Sequence, residues 1–313
     1  MTGTMQAAPR RASLWQRFRR SELLLGLLFI SPWIIGFCWF QIYPILASIY
    51  YSFTSYNMMQ PPQPIGLTNY QNMFTHDDLF WISLRNTTVY CLFSVPLSLL
   101  VSFGLAVLLN REIPGRAAFR TAFYFPTVVP SVASAILWTM LLNTQGGLVN
   151  NFLGLFNLPE IPWLSAPEWA MPSLILISIW GVGQTVVIFL AGLQDVPRSL
   201  YEAAEIDGAR PLSLVRHVTI PMISPVILFN LVIGLIGTFQ TFAAPYIIFG
   251  EGTGGTGGGP LNAVLMYSVQ LYTQAFKYFN MGYAAAMAWL LFIIIFVLTL
   301  VSMRFSSRFV HYE

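Results

Sequence analysis

The sequence predicts an all-α integral membrane protein that crosses the bilayer six times and keeps both termini in the cytoplasm. Three observations carry that expectation. Hydrophobic residues make up 56% of the 313-residue chain and charged residues 9%, against about 45–50% and about 25% in soluble domains. Six apolar runs each reach the length of about 20 residues that a helix needs to cross the hydrocarbon core. The basic residues fall almost wholly in alternate loops, as the positive-inside rule requires.

The expected spans are Leu23–Tyr43, Asn86–Leu109, Phe119–Leu142, Met171–Leu193, Ile223–Phe249 and Met281–Met303. Arg10, Arg11, Arg17, Arg19 and Arg20 precede the first. Arg111, Arg116 and Arg120 lie between the second and third, and Arg198, Arg210 and Arg216 between the fourth and fifth. Arg304 and Arg308 follow the sixth. Thirteen of the 15 basic residues therefore share one side, and only Arg85 and Lys277 take the other. Both termini on the basic side demand an even number of crossings, and six satisfies it. The basic N-terminus followed by an apolar run has the outline of a cleaved signal. The run is too long, however, and no small-x-small site separates it from Pro44, so the first helix is expected to be retained. An outer loop is expected from Pro44 to Leu84.

Several function classes are excluded by what the runs lack. No Asp, Glu, Lys, Arg or His occupies the centre of any of them, and a proton-coupled carrier places ionisable groups there. His76, His217 and His311 all lie in loops or the tail, so an intramembrane hydrolase has no catalytic set. Cys38 and Cys91 fall inside spans, where a cysteine is a small apolar packing residue; neither a disulfide framework nor a metal site is indicated. No G-x-x-x-x-G-K-[ST] loop is present, so energy for active transport must enter through another polypeptide. The glycine-rich run from Glu251 to Pro260 is expected to be a flexible outer connector.

Polar uncharged residues within the spans are costly facing lipid. Gln184, Asn230 and Gln240, with the ring faces of Trp180 and Tyr246, are the candidates for a solute path. Thr238, Trp138 and Phe239 are of the same kind. Bonds between helices and interfacial packing are the ordinary use of such groups. Pro126, Pro130, Pro225 and Gly234 are expected to bend helices or permit close packing.

The cytoplasmic segment 195–222 reads as a helix–turn–helix. Asp195 is placed to cap a helix with Pro197 in its first turn. Leu200, Ala203, Ala204 and Asp207 share one face, and Glu202 points elsewhere. Gly208 suits the left-handed residue that ends a helix. Pro211 restarts a short helix through His217, and Pro221 stops it. These physics alone fit either a solvated amphipathic loop or a docking surface.

The order Glu202-Ala203-Ala204, then Asp207-Gly208, then Ile220-Pro221 resembles the EAA motif of ATP-binding-cassette (ABC) importer permeases. The likeness extends to Phe119-Arg-Thr-Ala-Phe-Tyr-Phe-Pro126, to Gly147-Leu-Val-Asn150 and to Trp163-Leu164. It continues through Leu190-Ala-Gly-Leu-Gln194, Gly258-Gly259-Pro260 and Gly282-Tyr-Ala284. Together these resemble the first permease of the pair in maltose, lactose and glycerol-3-phosphate importers. The resemblance implies the type I ABC importer permease fold in a bacterial cytoplasmic (inner) membrane, with the core at 82–303. The basic tail would be 1–21, the permease domain 22–305 and the C-terminal tail 306–313. It implies a non-enzymatic subunit that moves a sugar or oligosaccharide by alternating access. Glu202, Ala203, Ala204, Asp207, Gly208, Ile220 and Pro221 would form the ATPase-coupling loop. The implied partners are a second homologous permease, two ATPase subunits, an extracytoplasmic solute-binding protein and membrane lipid, with no nucleic acid. ATP and Mg would sit on the ATPase, with no cofactor or metal on this chain. Some maltose-type members carry extra N-terminal helices and a large periplasmic domain, which this sequence lacks. Glycerol-3-phosphate or another small solute of the superfamily is the alternative cargo, although a charge-free path suits an anion poorly. A stand-alone secondary carrier would need internal repeats, and the two halves show none.

Overall fold

The structure, a computed structural model, describes residues 22–111, 114–250 and 257–306. The basic tail, Arg308 and most of the glycine run lie outside the described residues. Elements run in chain order as α1 (Glu22–Phe37), α2 (Tyr43–Ser52), β1 (Thr54–Ser55), β2 (Gln63–Pro64), α3 (Thr68–Thr75), α4 (Asp78–Asn110), α5 (Arg116–Tyr124) and α6 (Ser131–Leu141). Then come α7 (Leu148–Gly154), α8 (Pro167–Trp180), α9 (Gly183–Gln194), α10 (Arg198–Ile206), α11 (Pro211–Leu214) and α12 (Ile220–Met222). The chain ends with α13 (Ser224–Phe239), α14 (Ala243–Gly250), α15 (Tyr267–Tyr272) and α16 (Met281–Ser306). The two short strands pair antiparallel, Thr54 with Pro64 and Ser55 with Gln63, between α2 and α3.

Among the described residues, four helical stretches are long and apolar enough to cross a membrane: 25–52, 78–110, 224–250 and 281–306. Two further stretches meet the same test only as bent pairs. Residues 116–128 and 131–141 meet at 100°, and α8 and α9 meet at 49°. Six crossings result if each bent pair counts as one span. The sharper break follows from Pro130, which takes φ −55°, ψ 138° and cannot continue the short 3-10 turn Phe125–Val128.

Two span boundaries differ from expectation. The first helix does not end at Tyr43. A π turn over Cys38–Ile42, in which the Tyr43 N–H reaches the Cys38 carbonyl, precedes Pro44 and places it in the first turn of α2. A proline is tolerated there, and the helix runs on to Ser52. The second span starts eight residues early, at Asp78, because Asp77 caps it: its Oδ1 accepts the Phe80 N–H at 3.0 Å. The outer loop shortens accordingly.

Helix α4 is the spine. At 33 residues it is about 50 Å long, and α8, α9, α13 and α15 all pack on it. Three apolar clusters succeed one another along its length. The first joins Tyr90 to Leu174, Ile177 and Phe249. The second joins Cys91 and Val95 to Phe239, Tyr267 and Met287. The third joins Ala106 and Leu109 to Phe189, Leu193 and Ile223. By contrast Phe29, Trp33, Trp39 and Phe40 of the first helix are mostly exposed within the chain, a surface for lipid or another protein.

The glycine-run expectation is corrected at its C-terminal end. Residues 257–266 form a hydrogen-bonded turn, buried at both ends and exposed at Leu261, rather than a connector: Gly258 accepts the Val264 N–H at 2.9 Å, and the Asn86 amide donates to the Asn262 and Leu265 carbonyls. Gly259 has φ +69°, and a Cβ there would lie 2.5 Å from Val264, so only glycine fits.

Candidate functional site

A cavity of about 340 Å³ opens between α4, the α8–α9 pair and α13. The polar part of its wall is a set of hydroxyls and one amide: Ser94 and Ser98 from α4, Ser178 and Thr185 from the bent pair, Asn230 and Thr238 from α13. Tyr90, Thr241, three glycines and the apolar side chains of Val95, Leu99 and Ile233 complete the lining, and among the described residues no charged side chain lines it. Helical spacing explains the convergence. Tyr90, Ser94 and Ser98 recur every four residues on α4, as do Asn230, Gly234 and Thr238 on α13.

The polar groups are held in part and left open in part. The Asn230 side chain is buried, and its amide nitrogen donates to the Val226 carbonyl at 2.9 Å. Its carbonyl oxygen has no protein partner among the described residues. Thr238 is anchored to the Gly234 carbonyl at 2.7 Å. The Ser94 hydroxyl is buried without a partner. A neutral polyhydroxylated solute would complete such groups, since each unmet buried one costs about 1–3 kcal/mol.

Of the five path candidates, the structure places Asn230 in this cavity. Gln184 is exposed at the start of α9, and Gln240 is exposed where α13 ends. Trp180 packs edge-on against Trp138 at 5.4 Å. Tyr246 stacks on Phe242 at 4.9 Å, meets Tyr272, and carries Lys277 over its ring at 5.6 Å. Thr238, a candidate of the same kind, lines the cavity as well. Ser94, Ser98, Ser178, Thr185 and Thr241 were not singled out, although the four-residue spacing of Ser94 and Ser98 within an apolar run was an available signal.

On the basic side, α10, α11 and α12 form the helix–turn–helix. Asp195 does not cap α10; it ends α9, and Pro197 is the residue before the first turn of α10. Gly208 takes φ +78°. Its N–H bonds the Glu205 carbonyl at 3.0 Å and the Ala209 N–H bonds the Ala204 carbonyl at 2.9 Å, which is the Schellman pairing. Pro221 does not stop the second helix. Helical geometry runs from Pro211 through a π turn at Val215–Thr219 to Met222, and Pro221 falls in the first turn of α12. The two arms are tied where the Tyr201 hydroxyl meets buried Thr219 at 3.1 Å. Glu202, Ala203, Asp207, Gly208 and Ile220 are exposed, while Ala204 and Pro221 are half-buried.

Residues 94–311, which contain this loop and every lining residue of the cavity but Tyr90, match the binding-protein-dependent transport system inner membrane component family. The chain belongs to that family. It is 42% identical, over 100% of its length and 99% of the relative's, to a probable ABC transporter permease protein of Bacillus subtilis (strain 168), YesP. It is 34% identical over 88% of its length to the lactose transport system permease protein LacF of Rhizobium radiobacter, covering 91% of that protein. A chain of the bacterial alginate ABC transporter, solved in complex with an alginate pentasaccharide-bound periplasmic protein, superposes with a TM-score of 0.79 at 25% identity. That match covers 94% of this chain and 97% of the other. The protein is thus an inner-membrane permease component of the ABC importer class, multi-pass and built for transport.

Proposed function

We propose that the chain is the permease subunit of an ABC importer that carries a sugar or oligosaccharide inward. The observation that carries this reading is the charge-free cavity between α4, α8–α9 and α13, lined by hydroxyls and the Asn230 amide. Sugars are recognised by hydroxyl and amide hydrogen bonds. A phosphorylated or otherwise anionic cargo would find no cation there, and a buried charge without a partner is expensive. The lactose-transport relative agrees with a neutral saccharide cargo, and the alginate-transport neighbour, which moves an acidic polysaccharide, agrees with a saccharide but not with neutrality.

The cycle follows from two separated devices. The cavity holds solute at mid-bundle, while α10 with the Gly208 turn faces the cytoplasm as a rigid exposed knob. Separate ATPase subunits, which hold the ATP and Mg, close on nucleotide and displace this knob. A bistable bundle converts the displacement into opening toward the outside. An extracytoplasmic binding protein delivers the solute, and a second related permease supplies the other half of the path. Hydrolysis resets the bundle.

The deciding experiment purifies the chain with its native partners, reconstitutes the complex in proteoliposomes with ATP inside, and adds the binding protein loaded with candidate solutes. ATP-dependent accumulation of a neutral saccharide is expected. Accumulation of glycerol-3-phosphate instead of any saccharide overturns the cargo assignment, and ATP-independent uptake by this chain alone overturns the importer assignment.

A further inference from the structure

A second cavity, of about 560 Å³, lies on the basic side where the start of α5, the end of α9 and the start of α10 come together under the last residue of α4. Its polar lining is Asn110, Arg116, Gln194, Arg198 and Tyr201. Buried Leu193 and Val196 form its apolar floor. The two guanidiniums come from different elements, and among the described residues neither has a hydrogen bond or an ion pair. No acidic side chain lines the cavity among those residues; Asp195 adjoins it in sequence without lining it. The first turns of both α5 and α10 are free of acidic residues.

Two arginines with amide donors, and no counter-charge among the described residues that line the cavity, describe a site for an oxyanion. Guanidinium–phosphate bonds are charge-assisted and often bidentate, and like charges gathered around a concavity repel until an anion enters. The neighbouring surface suits the inner membrane boundary. Helix α5 carries Arg116 and Arg120 together with exposed Phe119 and Phe123, the composition of a helix lying at the headgroup level. Basic pockets between helices on the cytoplasmic side take lipid headgroups.

We propose that this cavity is a phosphate-binding site, filled by the headgroup phosphate of an anionic inner-leaflet phospholipid or by free phosphate. A bound phosphate bridges Arg116 to Arg198 and so ties the root of α10 to the ends of α4 and α9. The solute cavity is a separate space with no lining residue in common.

The test uses the complex with its native partners in two arms. In the first, nanodiscs of phosphatidylcholine with added phosphatidylglycerol are stripped with neutral detergent, and retained phosphatidylglycerol is counted by native mass spectrometry. In the second, inorganic phosphate is titrated calorimetrically into phosphatidylcholine nanodiscs. The Arg116→Gln/Arg198→Gln protein is compared with the charge-matched Arg210→Gln/Arg216→Gln protein, whose changes lie outside the cavity. We expect the cavity variant, and not its match, to lose at least about tenfold in one arm. Loss of lipid retention assigns the phosphate to phospholipid, and loss of phosphate binding alone assigns it to the free ion. Equal behaviour of the two variants in both arms overturns the site. Binding of both phosphatidylglycerol and phosphate that is equal in wild type and cavity variant does the same.

Discussion

Asn150 and Asn230 show what one amide does in two settings. Asn150 is 3% exposed and fully engaged. Its nitrogen donates to the Thr144 and Ile161 carbonyls, and its oxygen accepts from the Ile161 N–H and the Trp163 indole. It locks the loop between α6 and α8. Asn150→Ala should therefore destabilise the chain by about 3 kcal/mol, since several buried groups lose their partners together. The measurement is unfolding in nanodiscs followed by tryptophan fluorescence. Asn230 keeps one polar face open to the cavity. Asn230→Leu should leave stability nearly unchanged and raise KM for saccharide uptake about tenfold; an unaltered KM would remove Asn230 from the path. The sequence made both asparagines visible, one through a family-like run and one as a polar residue in an apolar span. Their difference was hidden, because it depends on carbonyls at Thr144 and Ile161 brought in by the fold. Ser94 and Ser178 were illegible for a related reason: a lone serine in a membrane helix normally satisfies itself on its own backbone, as Ser178 does with the Ile175 carbonyl.

Among the elements, the loop helices were legible where the signal was conformational and illegible where it was a matter of capping. Gly208 was placed correctly as a left-handed terminator, since that role needs only the absence of a Cβ. The Asp195 cap failed because α9 runs through Gln194 and takes Asp195 as its own C-cap, with the Asp195 N–H on the Ala191 carbonyl. Gly208→Ala should cost about 1 kcal/mol locally and accelerate hydrogen exchange across peptides spanning 204–212, which loses the Ala204 and Glu205 acceptor pairing. Charge reversal at Glu202 asks a different question. Glu202 is exposed and contributes no side-chain bond to the cap, so Glu202→Lys should insert and fold normally. We expect it to weaken ATPase co-purification and to abolish ATP-driven uptake. Normal uptake by that variant would show that the knob is not where force is received. The broken third span marks the limit of hydropathy at this scale: Pro126 and Pro130 were read as bends, but an apolar run does not encode whether a bend is 20° or 100°.

At the scale of the whole molecule, charge and hydropathy bear on the same unknown, the side on which each loop lies. The bent pair 116–128 and 131–141 fits either a crossing or a re-entrant hairpin that returns to the side it left. The two differ for everything downstream. With a crossing, 13 basic residues share the cytoplasm and only Arg85 and Lys277 lie outside. With a re-entrant hairpin, Arg198, Arg210, Arg216, Arg304 and Arg308 would move outside. That arrangement destroys the charge asymmetry that orients membrane proteins, and it strands α10 away from any cytoplasmic ATPase. Leu155 and Ile206 report the answer, being 77% and 86% exposed and on opposite sides of the fourth span. In a chain with Cys38→Ser and Cys91→Ala, a membrane-impermeant thiol reagent applied to intact cells should label Leu155→Cys. It should label Ile206→Cys only after the membrane is opened. The inverse pattern would make the third pair re-entrant and place the helix–turn–helix outside, where neither force from a cytoplasmic ATPase nor inner-leaflet phosphate could reach it.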